Sequence, residues 1–271
     1  MADFALVQAA VLAFAAAFWL GFESVRRGRA GLMAAARVAA GVGVLVTAAA
    51  LLRRGSALGA FPIVSRYETH LFIAAVVGAI ALALDLARRL PILTLAASPL
   101  SFLSLLIGSL LGAPEGAPAA VTQTAWAGLH VLAVLTAYGA FAMAFVAGLL
   151  YLIEQRELKA HAASPVLGAM PSLETLRRLT VGAVGVGLAL LTAGIVVGYL
   201  YARRALQPGW RMDAKVWSAT LTWAVYIVVL AMSFVPAFKG RRTAMASVAG
   251  FAVVMGTFWV AAFWSNFHRF L

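Results

Sequence analysis

Residues 124–152 read TAWAGLHVLAVLTAYGAFAMAFVAGLLYL, a stretch with no Lys, Arg, Asp or Glu. About 20 consecutive apolar residues are enough to cross the hydrocarbon core of a bilayer as an α-helix. A strand or loop is excluded there, because backbone polar groups in lipid must be satisfied within the segment itself. The stretch therefore predicts a membrane-spanning helix.

The same pattern recurs along the chain. Of its 271 residues, 64% are apolar and 11% charged, with a mean hydropathy of +0.97, whereas soluble domains are about 45–50% apolar and about 25% charged. The other apolar blocks lie at about 4–22, 34–52, 69–87, 91–112, 180–202, 217–238 and 243–264. These blocks predict an all-α, polytopic membrane protein with about eight transmembrane helices and no sizeable soluble domain.

The Lys and Arg residues predict the orientation. One set of connections between the blocks carries 13 of the 21 basic residues and the other set carries 8. The richer set should be cytoplasmic, which places both termini on the outer, extracytoplasmic side of a bacterial cytoplasmic membrane. Asp3 stands where a secretory signal would carry a basic residue, so the first block is expected to remain as a helix.

Charge and cysteine content narrow the function. The formal net charge is +12, but in a membrane protein such an excess does not by itself indicate nucleic acid, and none is expected as a partner. The absence of cysteine excludes a thiol–disulfide carrier, an iron–sulfur protein and covalent haem attachment. Seven of the eight outer basic residues fall in two connections, 53–68 and 203–216. They predict a basic rim for an anionic ligand, unless they are scattered loop charges.

Three of the four histidines are predicted at the outer side: His70, His130 and His268. Imidazoles at such places serve packing, proton relay or metal ligation. Trp126 precedes His130, and Trp264 precedes His268, by the same four residues, one helical turn. Interfacial anchoring would explain the tryptophans but not the paired histidines.

The connection between the sixth and seventh blocks contains Trp210, Arg211, Asp213, Lys215 and Trp217. One interpretation is an interfacial aromatic belt with Asp213 at a helix N-terminus. The alternative is a platform of flat indoles beside basic groups, which suits a large planar ligand with carboxylates at its edge. Haem fits that description, since two imidazoles can ligate its iron.

Three other features have simpler interpretations. Gly194-x-x-x-Gly198 predicts a face at which two helices pack closely. Asp85 is the main acid within a predicted span, and Arg88 and Arg89 follow it by three and four residues. We expect local pairing of Asp85 with them, which weakens a solute-transporter alternative. Pro99 should kink or break the fourth helix.

Several segments together resemble those of a known family. They are 60–64 AFPIV, 128–131 GLHV, 137–141 AYGAF, 148–152 GLLYL, 210–215 WRMDAK, 240–242 GRR, 249–251 AGF and 265–268 SNFH. In this pattern the chain is similar to the CcsA/HemX group of cytochrome c assembly membrane proteins, and it looks closer to the HemX branch. The likeness runs from about residue 60 to the C-terminus.

The resemblance implies a binding site. By position, His130 and His268 match the two external histidines of the family and are expected as the axial iron ligands of a non-covalent haem b. Trp210, Asp213, Lys215 and Trp217 match its Trp-rich loop. Further candidate binding residues around them are His70, as a spare ligand, and Trp126, Trp264 and Arg211.

Two departures from the family pattern bear on the mechanism. Met212 stands where the fuller loop has a Trp, and residues 228–232 lack the intramembrane His of members that move haem across the membrane. A transmembrane haem relay by this chain alone is therefore not expected.

The expected function is membrane-bound haem handling in cytochrome c assembly, by binding and presentation and without catalytic turnover. Partners would be haem, the lipid bilayer, other assembly proteins and apocytochrome c. The alternative is a HemX-type regulator or scaffold of tetrapyrrole synthesis, which would bind haem-biosynthesis enzymes. We expect one transmembrane domain, 1–271, with four N-terminal helices in 1–112 and a cytochrome c assembly-like core of four helices in 124–271.

Overall fold

The computed structural model describes residues 2–59, 61–63, 65–113, 124–161, 168–205 and 213–264. Within these ranges the chain forms long helices and no strand, which confirms the all-α prediction. Seven of the helices are long and apolar enough to cross a membrane, so the chain is a multi-span membrane protein. The long helices are α1 Ala2–Arg27, α2 Ala30–Leu58, α3 Arg66–Arg88, α4 Pro91–Leu111, α5 Ala125–Lys159, α6 Leu173–Ala205, α7 Ala214–Phe234 and α8 Arg241–Trp264.

The helices extend beyond the apolar blocks where charged residues stabilise their ends. Helix α6 begins at Leu173, about two turns before its apolar block, and Glu174 there accepts hydrogen bonds from Arg177 and Arg178 at 2.7 Å each. Helix α7 instead ends early, at Phe234. Pro236 follows it in a 3₁₀ turn, and the residue before a proline is driven out of the helical region. Pro99 does not break α4, which is one helix from end to end.

The helices pack as two neighbouring groups, α1–α4 and α5–α8, each with its own strongest contacts. Phe14 of α1 is fully buried, and its ring occupies the space where Cβ atoms on Gly43 and Gly78 would stand, at 2.8 and 2.7 Å. The Val76 side chain of α3 occupies the space of a Cβ on Gly139 of α5 in the same way. Small residues therefore bring the backbones together both within and between the two groups.

Helix α5 is the most buried of the seven spanning helices, and its main partner is α6. Cβ atoms added to α6 at Gly187 and Gly194 would stand 2.5 Å from Phe141 and 2.7 Å from Val134 of α5. The prediction that Gly194-x-x-x-Gly198 is a close-packing face is confirmed.

The prediction for Asp85 was wrong. Its carboxylate accepts two hydrogen bonds from Arg37 of α2, at 2.8 and 3.0 Å, and one from Thr94, at 2.7 Å. Helix α3 ends at Arg88, and Arg89 adopts a left-handed conformation with φ 55°. Both arginines are exposed, because the end of the helix turns them to the surface while α2 supplies the buried partner.

Candidate functional site at the histidine end

One end of the helix bundle holds the described candidate residues, and we call it the histidine end. Here α3, α5 and α7 begin while α2, α6 and α8 end. Contacts across these termini establish the arrangement: Glu68 of α3 binds Arg54 of α2 at 2.8 Å, and the His70 and Trp259 rings of α3 and α8 are 5.6 Å apart. Which side of the membrane this end faces stays a prediction.

His130 lies in the second turn of α5, against the glycine face of α6. Its Nδ1 is 2.7 Å from the backbone oxygen of Gly194. Since a carbonyl can only accept, Nδ1 carries the proton, and in the neutral imidazole Nε2 keeps a lone pair. A Cβ at Gly198 would stand 2.5 Å from the same Nδ1, so glycine is what lets the ring approach this closely.

His70 is held in the first turns of α3. Its Nδ1 is 2.8 Å from the backbone oxygen of Arg66, and the residue is only 4% exposed. The Phe258 and Trp259 rings of α8 flank it, with centroids 5.7 and 5.6 Å away. Nδ1 is thus the protonated nitrogen here as well. Because a Cβ added to Gly108 of α4 would stand 3.2 Å from the His70 Cβ, His70 is confined between α4 and α8.

The two described histidines at this end of the bundle, His70 and His130, contact different neighbours. His130 faces α6, whereas the glycines of α5 that approach the α3 side, Gly128 and Gly139, contact Phe61 and Val76. His70 faces α4 and α8. The structure therefore brings His70 to the same end of the bundle as His130 but against other helices.

Basic residues at the starts of α3 and α7 act electrostatically on the two histidines. The charge of Lys215, in the first turn of α7, acts on His130, and the charge of Arg66 acts on both Lys215 and His70. Asp213 also acts on Lys215. Arg66 and Lys215 thus bring positive charge to the starts of α3 and α7, where Glu68 and Asp213 also lie.

Two of the basic residues counted in the predicted rim, Arg53 and Arg54, form ion pairs within the protein. Arg53 pairs with Asp3 at 3.1 Å at the surface. Arg54 donates to the fully buried Glu68 at 2.8 Å, and Ser65 donates to the other Glu68 oxygen. These two arginines are therefore engaged in ion pairs within the protein. Arg66 and Lys215 are the basic residues whose charges act on the two histidines.

The start of α7 is fixed by Asp213, as its position predicts. The Asp213 side chain accepts a hydrogen bond from the backbone N–H of Lys215 at 2.9 Å and is 3% exposed. Trp217 and Trp126 are 60% and 55% exposed, so their indoles are turned outward. Trp223 links α7 to α6, donating from Nε1 to Thr192 at 2.9 Å.

Some predicted site residues lie outside the described part of the chain. These are His268, Trp210 and Arg211, together with the side chain of Trp264. Among the residues that are described, no three His, Cys, Asp or Glu side chains come together as a metal site. A ligand that needs only one or two imidazoles from the protein is compatible with that finding.

Sequence reasoning missed two contributors. Arg66 was counted only as one of the outer charges, although its carbonyl positions His70 and its charge acts on Lys215. The support of His130 by Gly194 and Gly198 was also missed. The glycine motif itself was the available signal, since it marks a backbone that other groups can approach closely.

Comparisons with known proteins agree with this architecture. The family model described as cytochrome C assembly protein matches residues 63–268. A cytochrome c biogenesis protein CcsA from Synechococcus sp. (strain CC9605) is 26% identical over 270 residues, 90% of this chain and 86% of that protein. The CcsA of Guillardia theta is 27% identical over 229 residues, 77% of this chain and 74% of that one.

A protein named HemX from Brevibacillus brevis is 28% identical over 171 residues, 62% of each chain, so less than two thirds of its length is matched. The family resemblance seen in the sequence is confirmed, and both names of the group occur among the relatives. The chain belongs to the cytochrome c assembly protein family.

Proposed function

We propose that the protein binds haem b non-covalently at the histidine end and presents it for cytochrome c assembly, with His130 and His268 as the axial ligands. The observation that carries the proposal is the hydrogen bond from His130 Nδ1 to the Gly194 carbonyl. Histidines that ligate metals usually donate their other ring N–H to such an acceptor, which fixes the tautomer and raises the basicity of the ligating nitrogen.

The basic residues near the histidines suit the propionate carboxylates of haem. When bound, haem would supply an iron for the imidazoles of His130 and His268 to hold, and two propionate carboxylates. Lys215 and Arg66 lie at the starts of α7 and α3, within electrostatic reach of His130 and His70. Basic groups beside the imidazoles favour carboxylates over a neutral ligand of the same shape.

The aromatic residues divide into two groups. Trp126 and Trp217 are more than half exposed and are able to cover an apolar ligand or to anchor the protein at the interface. Trp259 already packs on His70. In this proposal α5–α8 form the haem-handling unit, α1–α4 support it, and His70 is a spare ligand.

The proposed role is binding and hand-over at the outer face of the bacterial cytoplasmic membrane, without catalytic turnover. The name of the CcsA relatives, cytochrome c biogenesis protein, supports assembly as the process and apocytochrome c and other assembly proteins as partners. No His lies in α7, Ala214–Phe234, so we infer no haem relay through that helix.

The experiment is to purify the protein in detergent from haem-replete bacterial cells and measure haem content and absorption spectra. We expect wild-type protein to carry haem with a Soret band, and His130→Ala and His268→Ala each to lose haem or change its spectrum. His161→Ala is the matched control, because His161 lies after α5 at the opposite end of the bundle. Wild-type protein without haem, or unchanged spectra in both ligand variants, would overturn the proposal.

A second candidate is a HemX-type regulator or scaffold of haem synthesis that binds no haem. The feature that favours it is the reduced loop, with Met212 in place of a Trp, combined with the lack of His in α7. It predicts that deletion changes the abundance of a haem-synthesis enzyme, and that such an enzyme co-purifies with protein lacking a Soret band. Unchanged enzyme levels in the deletion strain would count against this candidate.

A further inference from the structure

We infer that Gly198 is the positioning residue that sets the tautomer and direction of the His130 imidazole, a role resting on the proposed function because it presupposes His130 as a ligand. Three glycines of α6 face α5. Gly187 and Gly194 face Phe141 and Val134, whereas Gly198 faces an imidazole ring. Close helix packing explains Gly187 and Gly194. A side chain at Gly198, however, would overlap the imidazole of His130, the proposed iron ligand.

The contact geometry shows how Gly198 acts. In an α-helix the carbonyl of residue 194 is the normal acceptor for the N–H of residue 198. The His130 N–H reaches this same carbonyl at 2.7 Å, so the ring must lie against the helix backbone beside residue 198. A Cβ there would stand 2.5 Å from Nδ1 and 2.7 Å from Cε1. Only glycine leaves the space that the hydrogen bond needs.

Two consequences follow for the ligating nitrogen. With Nδ1 protonated and turned to α6, Nε2 lies on the far side of the ring and keeps its lone pair. With alanine at 198, the ring must move by about 0.9 Å to reach an ordinary contact of 3.4 Å. That displacement exceeds the roughly 0.5 Å within which a binding site has to be held.

The helix offers matched controls. Gly187→Ala produces an equally close contact, 2.5 Å to Phe141 Cε1, at the same α5–α6 interface but away from His130. Gly185→Ala adds the same methyl group where no atom lies within 4 Å. A loss caused by general separation of the two helices would appear at Gly187→Ala, whereas a loss caused by the ring contact would appear only at Gly198→Ala.

The first readout is haem titration of purified, haem-depleted protein. We expect Gly198→Ala to weaken haem binding by about 10–100-fold, as for other groups that orient a metal ligand. Gly185→Ala should bind as wild type, and Gly187→Ala should lose much less affinity than Gly198→Ala. Equal losses at Gly198→Ala and Gly187→Ala would overturn the inference.

The second readout needs no haem. In protein labelled with ¹⁵N in the histidine rings, the His130 signals, assigned by their absence from His130→Ala, should show a protonated Nδ1 in wild type and in Gly187→Ala. They should move in Gly198→Ala. If His130→Ala binds haem as wild type does, the proposed function fails, and the NMR spectra alone then decide the positioning role. Unchanged His130 signals in Gly198→Ala would refute that role.

A double-mutant cycle, measured by unfolding stability, tests the inference even if Gly198→Ala folds poorly. The added methyl group strikes only the ring among the nearest atoms, so truncating the ring should relieve the contact. We expect the double variant Gly198→Ala/His130→Ala to be as stable as His130→Ala alone. A double variant that is as unstable as Gly198→Ala would show that the methyl group acts on something other than His130 and would overturn the inference.

Discussion

The buried ion pair between Arg37 and Asp85 gives the clearest prediction about stability. Two hydrogen bonds from the guanidinium and one from Thr94 satisfy the Asp85 carboxylate. The Asp85 side chain has no exposed surface, while that of Arg37 is 31% exposed. Replacing Arg37 by Met removes the charge partner and leaves Thr94 as the remaining hydrogen-bond donor among the described residues.

The expected cost follows from this burial. Breaking a buried ion pair by removing one partner costs about 3–5 kcal/mol, because the other charge stays buried without compensation. Arg37 is partly exposed, so water reaches the site more easily after the substitution, and we expect about 3 kcal/mol, the lower end of that range. The double variant Arg37→Met/Asp85→Leu removes both charges and should recover most of the loss.

The assay is reversible unfolding in mixed micelles of increasing dodecyl sulfate content, followed by tryptophan fluorescence. Arg53→Met is the matched control, because it breaks the surface ion pair between Arg53 and Asp3. The Arg53 side chain is 57% exposed and that of Asp3 is 35% exposed, so the substitution should lower the free energy of unfolding by less than about 1 kcal/mol. The reasoning is refuted if Arg37→Met loses no more stability than Arg53→Met, or if the double variant is less stable than Arg37→Met.

Three other substitutions test separate parts of the structure. Gly139→Ala should destabilise by about 1–3 kcal/mol, because the added Cβ would overlap Val76, and the further substitution Val76→Ala should restore stability. A double variant that unfolds as easily as Gly139→Ala would contradict this overlap. Glu154→Gln should raise the thermal midpoint, because Glu154 is 7% exposed with one oxygen atom lacking a hydrogen-bond partner, and a lowered midpoint argues against this. Asp213→Ala should cost about 1 kcal/mol of stability through loss of the cap on Lys215, while Asp213→Asn should not; equal costs would show that the cap is not the cause.

The number and approximate position of the helices could be predicted because a bilayer imposes a minimum apolar length on every crossing segment. Their ends could not be predicted in the same way. The apolar block marks the part of a helix that lies in hydrocarbon, whereas Glu174 and its arginine partners extend α6 beyond that part. At Phe234 the helix stops inside the apolar block, because Pro236 imposes its own backbone geometry.

The partner of Asp85 could not be found by reasoning from spacing along one helix. Arg88 and Arg89 have the right separation for local ion pairs, but α3 ends there and both side chains are exposed. The actual partner, Arg37, lies 48 residues earlier, on α2. Its identification requires the register between α2 and α3, which packing of small residues such as Gly43 and Gly78 around Phe14 determines.

At the candidate site, too, a contact between two helices could not be predicted from spacing along one helix. The sequence indicated His130 and the Gly194-x-x-x-Gly198 motif as separate features, one for ligation and one for packing. That they meet follows from the register of α5 on α6, which brings residues 64 positions apart within hydrogen-bond distance. The motif therefore has a role at the site that neither its composition nor its spacing could indicate.

The central claim is that His130 ligates haem through Nε2, and imidazole rescue of His130→Gly tests it most directly. The removed ring leaves a space beside Gly194 and Gly198 that free imidazole is able to enter. The account predicts a low-spin ferric electron paramagnetic resonance signal with two nitrogen axial ligands in wild type, its loss in His130→Gly, and its return on adding imidazole. A His130→Gly protein that keeps the wild-type signal without imidazole would contradict the account.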